Sequence, residues 1–309
     1  MTNIEKEIIA PVAVELIKAE LTQEAFLKNT KSGSNELYVV DNFTAPNTMM
    51  EIGRLRELSF RTSGGGTGEP YDIDESDVAE DGYKQLIVWD PIGNEIIGGY
   101  RFIVSSKSDT KYLSTEHYFK FSDKFREKYL PYMIELGRSF VQPKFQGKNR
   151  NIKGIFALDN LWEGIGAVAC RNPHVKYFFG KVTMYLEYDE NARNELIFFL
   201  RKYFADNEQL LTPLCPVKIE YNEQELSKIY CNSEFSDDYK VLVKRIKEYG
   251  ESIPPLVNAY MNLSPSMKVF DTVKNPDFGD VEETGILVTV NDLYTSKYDR
   301  YICSAESES

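Results

Sequence analysis

Apolar residues along the chain fall into short runs with a strand-like period of two, separated by longer stretches with a period near 3.6. Glu36–Val40 reads as a first strand. Gln85–Trp89 and Glu95–Val104 are two apolar runs joined by Asp90-Pro-Ile-Gly-Asn94, a hairpin signal. Ile134, Leu136, Phe140 and Val141 form another run that Pro143 stops, and Val175–Tyr185 and Gly285–Val290 are further strands. Between them, Pro46–Ser59 reads as a helix with Met50, Gly53 and Leu58 on its apolar side. Ile152, Ile155, Leu158, Trp162, Ile165 and Ala169 mark a second helix, Ala192–Phe204 a third, and Asp238–Glu248 a charged one. Pro11 at a first turn followed by Val12, Leu16 and Ala19 predicts a short amphipathic helix, and Thr22 can cap another, so residues 1–35 read as a helical extension. The polar face of that first helix carries Glu15 and Glu20 beside Lys18, which favours packing on the domain over membrane anchoring. Strand, helix, strand, helix predicts an α/β fold with a mixed sheet and a parallel crossover. No repeat or low-complexity linker divides the chain, so residues 36–309 read as one domain, elaborated from about residue 207.

The pattern is broken most tellingly between Met133 and Arg150. Here Glu135 and Arg138 sit inside an apolar strand that leads through a polar loop into a helix. Burying a carboxylate or a guanidinium is costly unless it is paired or used, so both are candidates for a site. The alternative is a structural ion pair. In a strict strand the two point to opposite faces, and only a bulge near Gly137 would bring them together. Arg101, in Gly98-Gly-Tyr-Arg-Phe, poses the same question in the hairpin, and its glycines let a backbone or ligand approach. The Pro46–Ser59 helix delivers Arg54, Arg56 and Arg61 toward one end.

Composition narrows the chemistry. A formal net charge of -12 argues against non-specific nucleic-acid binding. An acidic partner would need a local basic patch, which Lys144, Lys148, Arg150 and Lys153 supply. Four scattered cysteines form no CxxC pair, and two histidines leave little room for a Ser-His-Asp or Cys-His arrangement. No metal-ligand spacing occurs. Ser63-Gly-Gly-Gly-Thr-Gly68 lacks the Gly-Lys-Ser/Thr ending and spacing of a phosphate loop, and reads instead as a mobile loop beside a site. Asp72, Asp74 and Asp77 begin like a calcium loop, but Asp77 stands where glycine is needed and Tyr83 where glutamate is. They remain either a solvated acidic loop or a recognition site for an amine. The aromatic stretch with Tyr112, Tyr118, Phe119, Phe121 and Phe125 reads as core or as an acyl tunnel. No charged segment followed by an apolar core opens the chain, and no run approaches about eighteen apolar residues. The expectation is a cytoplasmic protein with at most peripheral membrane contact.

Six segments in order carry a family resemblance: Gly53-Arg-Leu-Arg-Glu-Leu-Ser-Phe60, Asp72-Ile-Asp-Glu-Ser-Asp77, Gly98-Gly-Tyr-Arg101, Glu135-Leu-Gly-Arg-Ser139, Phe178-Phe-Gly-Lys181 and Pro254-Pro-Leu-Val-Asn-Ala-Tyr260. Together they resemble the hemolysin-like branch of the GNAT superfamily, which includes ornithine and glycine Nα-acyltransferases of bacterial aminolipid synthesis. Gly64-Gly-Gly-Thr-Gly68 and Gln85-Leu-Ile-Val-Trp-Asp90 are similar to Bacteroidetes versions. More distantly, the order of charged residues is similar to acyl-homoserine lactone synthases.

The resemblance implies a GNAT sheet splayed after the Glu135 strand, with a thioester arm entering the gap. A coenzyme A loop of the superfamily normally reads Gln/Arg-x-x-Gly-x-Gly/Ala, whereas this chain has Gln146-Gly-Lys-Asn-Arg-Asn151, whose asparagines would crowd the phosphate nest. Acyl carrier protein is therefore the expected donor, acyl-CoA less so, and no cofactor is expected to stay bound. The implied activity moves a long acyl chain, in some versions 3-hydroxylated, to the α-amine of glycine or ornithine. The alternatives are lactone synthesis and a non-catalytic lipid- or carrier-binding module. Glu135 is the expected base, acting through a water, with Arg138 and Arg101 as catalytic residues that hold the acceptor carboxylate or fix Glu135. Arg54, Phe60, Asp72, Asp74, Asp77, Tyr100 and Ser139 are expected at the acceptor, the aspartates holding its ammonium. Val141, Lys144, Gln146, Lys148, Arg150 and Lys153 are expected at the donor.

Overall fold

The computed structural model describes residues 5–105, 112–147, 152–232 and 234–303. In chain order the strands are β1 Phe26–Asn29, β2 Glu36–Val40, β3 Lys84–Asp90, β4 Glu95–Val104, β5 Phe119–Phe121, β6 Met133–Val141, β7 Tyr177–Met184, β8 Leu211–Pro213, β9 Lys268–Asn275 and β10 Val281–Thr289. Eight of them form one sheet in the order β1-β2-β3-β4-β6-β7-β10-β9, and β5 and β8 pair separately. All neighbours in the large sheet are antiparallel except β6 and β7. That parallel pair needs a crossover, and the helix between them supplies it.

The helices are α1 Val14–Glu20, α2 Pro46–Thr62, α3 Glu75–Val78, α4 Asp123–Lys128, α5 Ile152–Cys170, α6 Glu190–Phe204, α7 Glu223–Ile229, α8 Phe235–Glu248, α9 Pro255–Met261 and α10 Thr295–Tyr298. Period-two alternation decides what covers each face of the sheet. From β3, Leu86 and Val88 join the core of Leu161, Trp162 and Ile165 on α5, while Ile87 and Trp89 pack with Met49, Ile52 and Leu55 on α2. The sheet is therefore buried on both faces. Among the described residues no helix is long and apolar enough to cross a membrane.

The N-terminal expectation needs correction. Thr22 begins no second helix; Phe26–Asn29 is an edge strand that pairs with β2. The edge-to-face contact between Phe26 and Tyr38 and the buried Leu27 tie it to the sheet, so among the described residues the segment before Glu36 is not wholly helical and contributes a strand of its own. The C-terminal elaboration is also part of the same sheet, because β10 lies between β7 and β9.

Two irregularities in β6 create the site. Pairing with β7 runs from Met133↔Tyr177 to Leu136↔Gly180 and stops, although the strands continue to Val141 and Met184. At the last rung a Cβ on Gly180 would lie 2.5 Å from the Leu136 carbonyl oxygen, so the strands approach there only because the residue is glycine. Against β4, Gly99 pairs with Phe140 and Arg101 with Gly137, two steps on one strand against three on the other. The extra residue is a bulge, and Arg138 takes a left-handed φ of 49° within it. It inverts the alternation, so Ile134 and Leu136 face α5 but Phe140 packs with the α2 core.

Candidate active site

A cavity of about 470 Å³ opens where β6 and β7 diverge. Its polar wall includes Arg101, Ser114, Arg138, Ser139, Lys181, Thr183, Tyr185 and Glu283. Its apolar wall includes Phe140, Val141, Phe145, Ile155, Leu158 and the Pro254-Pro255-Leu256 segment that opens α9. Phe60, Tyr100 and Gln146 also line it, as the sequence led one to expect of them. Ile155 is 53% exposed, an apolar side chain that α5 holds in the water at the rim.

The bulge near Gly137 is present, but Glu135 and Arg138 have different partners. Arg138 Nε lies 2.8 Å from Asp72 Oδ2, and its guanidinium sits 4.3 Å from the centre of the Phe278 ring. A guanidinium has five donors, so this pairing leaves Arg138 able to hold a second anion. Glu135 is fully buried and does not reach the cavity wall. Its Oε1 accepts from Ser114 Oγ at 2.8 Å, Thr115 Oγ1 at 2.8 Å and the Thr115 amide at 2.9 Å, while Oε2 is buried without a hydrogen bond. Ser114 stands between Glu135 and the cavity, and Lys181 Nζ donates to Ser114 Oγ at 3.1 Å. Glu135 therefore reaches the cavity by way of Ser114.

The three aspartates do not form an open ammonium site. Asp77 is buried and pairs with Arg56 at 2.9 Å and Arg101 at 3.2 Å; Arg101 also meets Asp74 at 2.6 Å and lies 4.3 Å above the Tyr83 ring. Burial pushes the Asp77 carboxyl up, but Arg56 and Arg101 outweigh it and hold the group well below the usual carboxylate range. Asp72 goes the other way: its burial outweighs Arg138 and Arg56 and raises it. Arg101 is itself held well above its ordinary value, because Asp77 and Asp74 overcome its burial. The aspartates expected to hold the acceptor amine are each paired with an arginine, and none of the three lines the cavity. The physical reason is that α2 presents Arg56, and the bulge Arg138, to the loop that carries the aspartates.

Arg54 is likewise engaged, forking onto Glu51 at 2.6 and 2.8 Å one turn earlier on α2, away from the cavity wall. Lys144 pairs with Glu95 and Lys153 with Asp90, which neutralises half of the expected basic patch. Lys148 and Arg150 lie outside the described residues. The glycine loop is at the site, since Ser63 lines the cavity, but it is tied down and not free. Glu57 accepts from the Thr67 amide at 3.0 Å, Thr67 Oγ1 at 2.8 Å and the Gly68 amide at 2.8 Å. Phe119, Phe121 and Phe125 pack with Phe179 and Phe270 away from the cavity, so they are core and not a tunnel.

Sequence reasoning missed Ser114, Thr183, Tyr185, Phe278 and Glu283, and left Lys181 without a role. Lys181 and Glu283 carried a usable signal, a charge within or beside an apolar strand. Among the described residues no group of three metal-ligating side chains occurs.

The family model described as an acetyltransferase (GNAT) domain matches residues 55–153, from α2 through the bulged strand to the start of α5. A protein of Bacteroides thetaiotaomicron named glycine N(alpha)-acyltransferase is 50% identical over 302 residues, 96% of this chain and 90% of its own length. A protein of the same name from Phocaeicola vulgatus is 49% identical, covering 96% of this chain and 93% of its own. No solved structure matches the chain.

Proposed function

The chain belongs to the GNAT superfamily of N-acyltransferases, and on that footing we propose that it moves a long acyl chain from the phosphopantetheine arm of acyl carrier protein to the α-amine of glycine, giving a lyso-aminolipid. The observation that carries this reading is the cavity at the β6–β7 divergence, apolar along one wall and charged along the other. Past Leu136 the β6 edge has no β7 partner, so backbone groups between Gly137 and Phe140 that face the gap suit the amides of an extended pantetheine, while the Val141 carbonyl already accepts from Gln146 Nε2. Phe145, Ile155, Leu158 and Leu256 suit acyl methylenes, each worth about 0.8 kcal/mol when buried. Glycine is the acceptor that the relatives' names point to.

In the reaction the ammonium first loses a proton. The neutral amine attacks the thioester carbonyl, the C–N bond forms and the C–S bond breaks. The nitrogen gives up a second proton as the amide forms, so of the two protons it loses one ends on the departing thiolate and the other in solvent. On this reading Arg138, which lines the cavity, holds the acceptor carboxylate. Tyr100, Tyr185 and Tyr260 line the cavity, and burial raises all three phenols, Tyr100 to about 12, so each stays protonated at neutral pH and can relay the nitrogen's second proton to the thiolate, giving one proton as it takes up the other.

The test is thiol release from long-chain acyl carrier protein with a panel of amino acids, followed by mass spectrometry. The expected product is acyl-glycine. A homoserine lactone, or no amino-acid-dependent release, would overturn the proposal.

A further inference from the structure

We infer that Glu283, on a strand outside the 55–153 match, is the group that receives the acceptor's ammonium and takes its first proton, with the Lys181 ammonium 3.6 Å away on the neighbouring strand. This rests on the proposed amino-acid acylation and names the part of the site that would perform it.

Glu283 on β10 pairs directly opposite Thr183 on β7, so the two share a face, and Lys181 lies two residues along β7 on that same face. All three line the cavity on the β7 side of the gap, whereas Arg138 lines it from β6. The two walls thus offer an anion and a cation to the two ends of a short zwitterion. Glu283 is 5% exposed, and its Oε2 is buried with no hydrogen bond.

An ordinary ion pair with Lys181 does not account for this. The closest approach is 3.6 Å, beyond hydrogen-bond distance, and Lys181 Nζ is already donating to Ser114 Oγ at 3.1 Å. A buried carboxylate oxygen without a donor is destabilising, and the N–H groups of a substrate ammonium would remove that penalty. Glu135 is less suited to the task. Ser114 and Thr115 already give its Oε1 three donors, and it is not on the cavity wall.

The proton balance is simple. The acceptor ammonium passes one proton to the Glu283 carboxylate and becomes the attacking amine; after acyl transfer, Glu283 releases that proton to solvent. Glu135, through Ser114, acts on the position of Lys181.

The test compares the wild type, Glu283→Gln, Glu283→Asp and Glu135→Gln. Thiol release is followed against glycine and donor concentration from neutral to alkaline pH, and melting temperature is recorded for each variant. Glu283→Gln is expected to lower kcat/KM for glycine by about 10² near neutral pH, in the range for loss of a general base, with donor KM little changed. The deficit should shrink about tenfold per pH unit as the amine becomes neutral without help. Glu283→Asp should recover part of the loss, and Glu135→Gln should lose activity without alkaline recovery. A folded Glu283→Gln whose pH profile runs parallel to the wild type, or whose glycine and donor KM rise equally, overturns the assignment while leaving glycine acylation standing. If Glu283→Gln does not fold, failure of Glu283→Asp to show a selective rise in glycine KM overturns it instead. A wild type that acylates no amino acid overturns both.

Discussion

Asp77→Asn separates a structural carboxylate from a substrate-binding one. Asp77 Oδ2 lies 2.9 Å from Arg56 Nη1, with both side chains fully buried, and 3.2 Å from Arg101 Nη1. Its Oδ1 accepts from Gln85 at 2.9 Å. Asparagine keeps the shape and removes the charge, leaving Arg56 with the Asp72 carbonyl at 3.3 Å and Gln85 as neutral acceptors. Coulomb's law at an effective dielectric of about 20 gives roughly 5 kcal/mol for each lost contact. Part of that is offset because Asp77 no longer has to be desolvated, and breaking a buried pair generally destabilises by about 3–5 kcal/mol. At about 2–4 °C per kcal/mol for a large domain, the melting temperature should fall by about 10 °C at pH 7.

The sign of the pH dependence follows from the direction of the shift. Asp77 titrates lower in the fold than its unfolded value of about 3.9, so its stabilisation is present above that value and is lost as the pH falls through the folded one. The difference between wild type and variant should therefore narrow on acidification below about pH 4. Glycine KM, measured below the variant's melting temperature, should stay within about threefold of the wild type, since uniform binding contacts are what KM reports. A fall in melting temperature under about 2 °C, or a selective rise in glycine KM, would refute the reasoning and return Asp77 to the acceptor site.

Arg138→Lys should raise glycine KM more than donor KM, because an ammonium cannot both pair with Asp72 and fork onto a second carboxylate; equal rises would mark a structural role for the bulge. Gly180→Ala puts a Cβ 2.5 Å from the Leu136 carbonyl and should destabilise by about 1–3 kcal/mol in denaturant titration, whereas unchanged stability would show that the last β6–β7 rung is not tight. Gly65→Ala places a Cβ 2.8 Å from the Tyr185 ring and should push that ring toward the cavity, raising glycine KM several-fold; an unchanged KM would put the acceptor elsewhere. Reversing Lys148 and Arg150 to Glu should raise KM for acyl carrier protein and leave a small acyl-pantetheine mimic nearly unaffected, because a docking charge acts on encounter with an acidic partner; equal loss with both donors would refute docking.

Local pattern alone determined much of the framework. The hairpin on either side of Asp90–Asn94, the strands around Leu136 and Phe179, and the helices at Pro46, Ile152 and Ala192 all carry a period that their neighbours do not disturb. The two charges in β6 and Arg101 in β4 also stood out, because a charge in an apolar strand is costly wherever the strand ends up. Edge strand β1 and strand β9 escaped notice. The first is four residues long, and the burial of the second departs from strict alternation, so neither shows a period to read.

What each charge does was decided only by the tertiary structure. Asp72 and Arg138 meet because a bulge of one residue turns β6 over, and the aspartates are spent on arginines delivered by α2 and β4. Lys181 and Glu283 face one another because β10 enters the sheet beside β7, far from it in sequence. A sequence shows which groups are expensive to bury, but their partners are set by strand order and register, which depend on contacts across the whole chain.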